Sequence, residues 1–285
     1  MTSSIHVERK AREYEFTEGD FETVRALIYK HAGISLSASK QDMVYSRLAR
    51  RLRERGLKRF GDYLKLLQVS DASEWEAFTN ALTTNLTSFY REAHHFPILA
   101  EHLRRRWDAT HEPVRIWCCA ASTGEEPYTI AITASEALHG NPPPVQIVAT
   151  DVDTAVLTKA AAGIYGSERV ESISPERMKR FFLRGNGAND GHVKVVPSLR
   201  KLITFQPLNL LDAQWPIKGP FDAILCRNVM IYFDKDTQRR ILEKFAPLLR
   251  PDGLLFAGHS ESFFNAADVF KLRGKTVYEL TNGRH

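Results

Sequence analysis

Trp117-Cys118-Cys119-Ala120-Ala121-Ser122-Thr123-Gly124-Glu125-Glu126-Pro127-Tyr128 runs from an apolar stretch through a polar turn into helix-forming residues. Ser122 or Thr123 can cap that helix, and Pro127 suits its first turn. A pyrophosphate cofactor would need G-x-G-x-x-G here, so that the backbone could approach the phosphates. This loop has one glycine and two carboxylates. The acids repel phosphate and attract a cation, or else merely complement the helix dipole. S-adenosylmethionine carries an ammonium and a sulfonium and no phosphate, and Glu126 is the candidate for its ammonium.

From about residue 114 onward, short apolar runs alternate with helical segments. The runs are Val114–Cys119, Val145–Thr150, Leu202–Pro207, Phe221–Cys226, Gly253–Gly258 and Thr276–Leu280. This rhythm predicts an α/β fold, a parallel sheet with helices on both faces and ligands at the carboxyl ends of the strands. The second run ends in Asp151, placed where a ribose diol would bind, while Asp153 is expected to cap the next helix. Arg227-Asn228 closes an otherwise apolar strand, as a pocket lining or a solvated loop start. Tyr232 follows, as a site residue or a core aromatic. Residues 164–196 break the rhythm with Gly166, Gly185, Gly187 and Gly191, and His192–Val196 reads as a short antiparallel strand in an insertion.

Toward the N-terminus the period changes to that of helices. Phe16-Thr17-Glu18-Gly19-Asp20 offers an N-cap before Phe21, Val24, Leu27 and Ile28, and Val44, Leu48 and Leu52 stack on a second helix. Residues 16–82 show no strand signal. Residues 40–59 hold Lys40, Arg47, Arg50, Arg51, Arg53, Arg55, Lys58 and Arg59 against Asp42 and Glu54, a net +6, so in a chain of net charge +5 the rest is close to neutral. Such an excess implies an acidic partner, or simply a solvated helix face. At 43% hydrophobic and 26% charged, the 285 residues read as a globular protein. No apolar run approaches the roughly 18 to 20 residues of a membrane span, and the polar start is no secretory signal. Three cysteines, Cys118, Cys119 and Cys226, read as a reducing, cytoplasmic setting. Adjacent Cys118 and Cys119 point to opposite faces of a strand and cannot chelate together, and His94-His95 are expected to diverge; no metal is expected.

Four motifs in register resemble one family. They are Asn85-Leu86-Thr87-Ser88-Phe89-Tyr90-Arg91-Glu92, the Ser122–Tyr128 loop, Arg227–Phe233, and Leu254-Leu255-Phe256-Ala257-Gly258-His259-Ser260-Glu261. Together, from about Phe16 to Leu280, they resemble the chemotaxis receptor methyltransferases, the CheR family. The resemblance implies a helical receptor-recognition domain over 1–82 and a linker with a helix over 83–113 that reaches the cofactor site. A Rossmann-like methyltransferase domain follows over 114–285, with an inserted β-subdomain at about 164–200. It implies S-adenosylmethionine held by Asn85, Thr87, Arg91, Glu126 (ammonium), Asp151 (ribose), Asn209 and Leu210 (adenine), and Arg227 and Asn228. Arg91 and Tyr232 would lie nearest the transferred methyl. Arg47, Arg50, Arg51 and Arg53 would dock on the acidic helical bundle of the receptor, whose C-terminal peptide could add to the β-subdomain.

The implied acceptor, a glutamate side chain, is ionised near neutral pH and needs no general base. No convincing His–Asp or Cys–His arrangement is evident. A monomer acting without nucleic acid or membrane insertion is expected. Other classes stay open. A nucleic-acid methyltransferase of the exocyclic-amine type would carry Asp/Asn-Pro-Pro-aromatic where Arg227-Asn228-Val229-Met230 stands, and aromatic platforms for a flipped base. Another protein methyltransferase, or a non-enzymatic S-adenosylmethionine-binding module, would keep Glu126 and Asp151.

Overall fold

The structure, a computed structural model, describes residues 12–70, 72–138 and 142–281. The chain divides into two compact units, Met1–Leu82 and Thr83–His285.

The first unit is helical: α1 (Glu18–Ala32), α2 (Gln41–Arg55), α3 (Phe60–Val69) and α4 (Ala72–Leu82). A capping box starts α1, the Thr17 side chain accepting from the Asp20 N–H while the Asp20 side chain accepts from the Thr17 N–H. The apolar stripes bury Val24 and Ile28 of α1, Val44, Leu48 and Leu52 of α2, Tyr63 and Leu67 of α3, and Phe78 of α4. Glu74 of α4 is also buried, and it ties the helices together. It accepts from Tyr63 Oη at 2.8 Å and Arg51 Nη2 at 2.9 Å, and from Arg55 Nε at 2.6 Å. Burial would raise this carboxyl, but the hydrogen bonds from Tyr63, Arg51 and Arg55 carry it below its ordinary value.

The second unit opens with α5 (His95–Thr110) and alternates thereafter. Its main run is β1 (Val114–Cys118), α6 (Glu125–Ala137), β2 (Val145–Asp151) and α7 (Thr154–Ala162). Next come β3 (Ile164–Gly166), α8 (Pro175–Phe181), β4 (Phe182–Arg184), β5 (His192–Val195) and α9 (Pro197–Arg200). The chain ends with β6 (Ile203–Pro207), β7 (Phe221–Cys226), α10 (Lys235–Phe245), β8 (Leu249–Ala257), β9 (Phe270–Gly274) and β10 (Val277–Leu280). The seven-stranded sheet has the order β6-β2-β1-β7-β8-β10-β9, and β3-β5-β4 form a separate three-stranded antiparallel sheet. The insertion read around His192–Val196 is therefore present, with that strand at its centre.

The expected all-parallel sheet is corrected in one respect. The first five strands are parallel, but β10 runs antiparallel to both β8 and β9. The sequence reading missed β9 because Phe270-Lys271-Leu272-Arg273 exposes all but Phe270 and shows no buried apolar run. A tight turn at Gly274, Lys275 and Thr276, all at positive φ, joins β9 to β10. Separate cores cover the two faces of the large sheet. Cys118 belongs to the one packed under α5 and α6, and Cys119 to the one packed under α10. Adjacent strand residues thus do point to opposite faces.

Candidate functional site

Parallel strands β6, β2, β1 and β7 are neighbours, so their carboxyl ends line up at one edge of the sheet. The strand order reverses between β2–β1 and β1–β7, where such sheets bind ligands. Four residues at this edge hold positive φ without being glycine: Tyr90, Glu92, Ser122 and Asn228. Backbone of this kind persists only where surrounding contacts enforce it.

The loop after β1 does not use the expected cap. Gly124 takes the N-cap position of α6 at φ 99°, with no side-chain cap bond. A Cβ there would meet Tyr165 Oη at 2.7 Å and Ala160 Cβ at 2.9 Å, so glycine is required on both counts. The two hydroxyls serve other partners. Ser122 Oγ donates to the Asn85 carbonyl at 3.2 Å and Thr123 Oγ1 to Glu125 Oε2 at 2.6 Å.

The two acids diverge. Glu125, fully buried, pairs with Arg169 of the inserted segment, whose guanidinium also donates to the Thr87 carbonyl at 3.2 Å. Glu126 faces β7, taking a hydrogen bond from the Cys118 thiol at 3.3 Å and an ion pair from Arg227. Burial and the Glu126 carboxylate push the Cys118 thiol far up, so it stays protonated.

Asp151 ends β2 and is 8% exposed. Ser122 N–H donates to one carboxylate oxygen at 2.8 Å and Asp153 N–H to the other at 3.0 Å. Burial nevertheless pushes the group up to about 6. Asp153 caps α7, and its other oxygen accepts from Asn85 Nδ2 at 2.8 Å. Leu208 N–H bonds to the Asp151 carbonyl at 3.0 Å, which brings half-buried Asn209 and buried Leu210 beside this strand end.

Arg227, with its side chain 1% exposed, reaches Glu126, the Arg91 carbonyl and, at 3.3 Å, Glu92. Asn228 Nδ2 donates to Glu92 Oε1 at 3.1 Å, and the His259 N–H donates to the same oxygen at 3.2 Å. Burial would raise Glu92, but the donors from His259 and Asn228, with the Arg227 charge, take it down to about 2. Glu261 accepts from the N–H groups of Asn228 at 2.9 Å and Met230 at 2.7 Å, fixing the start of the turn that carries half-buried Tyr232. Arg91 is half-buried and donates to the Leu86 carbonyl at 2.8 Å.

Two networks result: Asn85 and Asp151 share Ser122 and Asp153, with Asn209 and Leu210 adjoining, while Glu126, Arg227 and Asn228 meet through the Arg227 guanidinium and Glu92. Thr87 and Arg91 join through their carbonyls. Sequence reasoning missed Glu92, Glu261 and the Cys118 thiol. The two acids lie inside quoted motifs, but no periodicity or spacing marks their roles. Of the basic residues on α2, Arg51 binds buried Glu74, and Arg47 donates to the Leu82 carbonyl at 3.1 Å. Arg50 and Arg53 stand 78% and 57% exposed. His95 is buried, and its ring lies only 4.2 Å from that of His94, so the pair does not diverge. Among the described residues no group of three His, Cys, Asp or Glu side chains could hold a metal ion, and no helix is long and apolar enough to cross a membrane.

The donor set suits a particular ligand chemistry. Two acids with their burial nearly complete, and a helix start with no glycine-rich cradle, fit a cationic nucleoside carrying a diol and do not fit a pyrophosphate.

Comparison with known proteins agrees. The family described as CheR methyltransferase, SAM binding domain, matches residues 85–279, and CheR methyltransferase, all-alpha domain, matches 19–83. The chain is 54% identical over 269 residues to the chemotaxis protein methyltransferase of Salmonella typhimurium, covering 94% of this chain and 92% of that one. It is 56% identical over 272 residues to the protein of the same name from Klebsiella aerogenes, covering 95% and 92%. The Escherichia coli protein of that name is 51% identical over 288 residues, covering 99% of each. Both domains match in order and the identities hold over nearly the whole length, so the chain belongs to the CheR methyltransferase family, an all-α domain followed by one that binds S-adenosylmethionine.

Proposed function

We propose that this enzyme esterifies glutamate side chains on the cytoplasmic helical bundle of a chemotaxis receptor, and that it works in the cytoplasm. One observation carries the reading: Arg227 and Asn228 bind the Arg91–Glu92 backbone and side chain, so the segments bearing Arg91 and Tyr232 are fastened, through Arg227, to Glu126 at the start of α6. The names of the relatives supply the chemotaxis context.

In this reading Glu126 holds the ammonium of S-adenosylmethionine, Asp151 its ribose, and Asn209 and Leu210 flank the adenine. Asn85 and Thr87 close the site from the 85–92 segment. The bound cofactor supplies an electrophilic methyl group. The acceptor carboxylate is already ionised, so the protein needs to remove water and hold it in line, without taking a proton. Arg91 steers that carboxylate without gripping it, since a tight ion pair would blunt the nucleophile. Tyr232 donates one hydrogen bond to it. Arg50 and Arg53 make first contact with the acidic receptor surface. The receptor's C-terminal peptide adds a strand to the three-stranded sheet, which raises the local concentration of acceptor.

The test is incorporation of methyl label into receptor cytoplasmic fragments whose methylation-site glutamates are present or replaced by glutamine. Label confined to the glutamate-bearing fragments is expected, with the rate cut about a hundredfold or more in the Arg91→Ala enzyme. Equal labelling of both fragments would exclude a carboxylate acceptor, and an unchanged rate would remove Arg91 from the mechanism.

A further inference from the structure

One guanidinium is shared between two acids at the heart of the site. Arg227 contacts Glu126 on one side and Glu92, at 3.3 Å, on the other, and all three side chains are at most 11% exposed. One oxygen of Glu92 accepts from Asn228 Nδ2 and the His259 N–H, and the exposed His259 ring brings its Nδ1 to 3.1 Å from the same oxygen. The other, Oε2, is buried, receives no hydrogen bond among the described residues, and lies 3.3 Å from the guanidinium and 3.8 Å from His95 Nδ1. His95 brings no charge near neutral pH, because burial, reinforced by the Arg227 cation, takes it down to about 4. The Cys118 thiol beside Glu126 is neutral as well. Glu125, the other acid of the loop, is paired with its own arginine, Arg169. The buried group therefore contains two anions and one cation.

That imbalance has a consequence for Glu126. With Arg227 as its sole and undivided partner, Glu126 would sit in a closed one-to-one ion pair, with no net charge to offer an incoming cation. With Glu92 drawing on the same guanidinium, the trio carries one unit of surplus negative charge. A buried surplus of this kind is costly until a cation from outside balances it.

We propose that Glu92 is a positioning residue for the cofactor: by sharing Arg227 it leaves Glu126 the uncompensated charge that captures the ammonium of S-adenosylmethionine. Glu92 touches no reacting atom and acts through Arg227. The proposal rests on the assignment of Glu126 to the ammonium. It adds a charge-setting role for a residue that would otherwise be a clamp between two loops.

Equilibrium binding of two ligands to the full-length enzyme at pH 8, where ordinary histidines are uncharged, tests it. S-adenosylhomocysteine keeps the ammonium, and methylthioadenosine lacks the whole amino-acid end. Glu92→Gln should weaken S-adenosylhomocysteine about tenfold or more and leave methylthioadenosine within about twofold. Glu92→Asp, which keeps the charge, should restore S-adenosylhomocysteine to within about threefold of wild type. Equal weakening of both ligands by the glutamine variant would show a loop clamp alone and overturn the proposal, as would unchanged or tighter binding of S-adenosylhomocysteine. If the glutamine variant does not fold, the aspartate variant decides, and a tenfold loss in it overturns the proposal. Glu126→Gln separates the parent reading: if it leaves S-adenosylhomocysteine binding intact, the ammonium assignment itself falls, whatever Glu92 does.

Discussion

Asp151 shows how much a single side chain at this site depends on surroundings that a sequence does not display. Its position after an apolar run marks it as a strand-end acid, and the structure puts it there. Its titration is set by burial, which outweighs two backbone N–H donors and lifts it to about 6. Below that value the carboxyl is protonated and loses acceptor capacity, so the proposed ribose role predicts weaker cofactor binding as the solution is acidified. S-adenosylhomocysteine affinity should fall roughly tenfold between pH 7.5 and 5, as calorimetry at the two values would show. A flat profile would place the ribose elsewhere. Glu261 is the opposite case, a residue whose sequence context says nothing of its work. It gathers backbone donors from Asn228, Met230 and Gly258. Replacing it by alanine strands these buried N–H groups, at about 1–3 kcal/mol each. Urea denaturation should register a loss of that order, and cofactor affinity should fall with it.

At the scale of elements, period and composition made most helices and strands readable, and the misses have identifiable physical causes. The strand β9 presents mostly exposed residues, so its pairing with β10 comes from the turn between them and not from a buried pattern. The start of α6 looked like a serine or threonine cap, but close packing against Ala160 and Tyr165 selects Gly124, and the hydroxyls go elsewhere. On α2, a run of arginines reads as one basic face, whereas partners from a distant part of the chain divide it. Arg51 and Arg55 converge on Glu74 of α4, while Arg50 and Arg53 remain outside. Glu74→Ala should therefore cost about 3 kcal/mol in chemical denaturation, the price of leaving Arg51 without its buried partner. Reversing Arg50 and Arg53 to glutamate should leave the melting temperature within about 2 °C of wild type.

For the whole molecule, the family was legible because four motifs occur in order along the chain. What connects them was not legible. Glu92 bridges segments 136 and 167 residues apart, to Asn228 and His259, and contacts of such separation leave no local trace. The two units give distinguishable predictions. The Arg50→Glu, Arg53→Glu enzyme should bind S-adenosylhomocysteine normally, yet show a raised KM for receptor and a flatter dependence of rate on salt. Steady-state rates from 50 to 300 mM salt would check this, as order-of-magnitude conditions bracketing the screening range. The most direct measurement is the chemical lability of the product. Enzyme, S-adenosylmethionine labelled in its methyl group and receptor-bearing membranes should yield receptor-bound label that mild alkali releases as volatile methanol. Label that resists alkali, or that never reaches the receptor, would contradict transfer to a carboxylate.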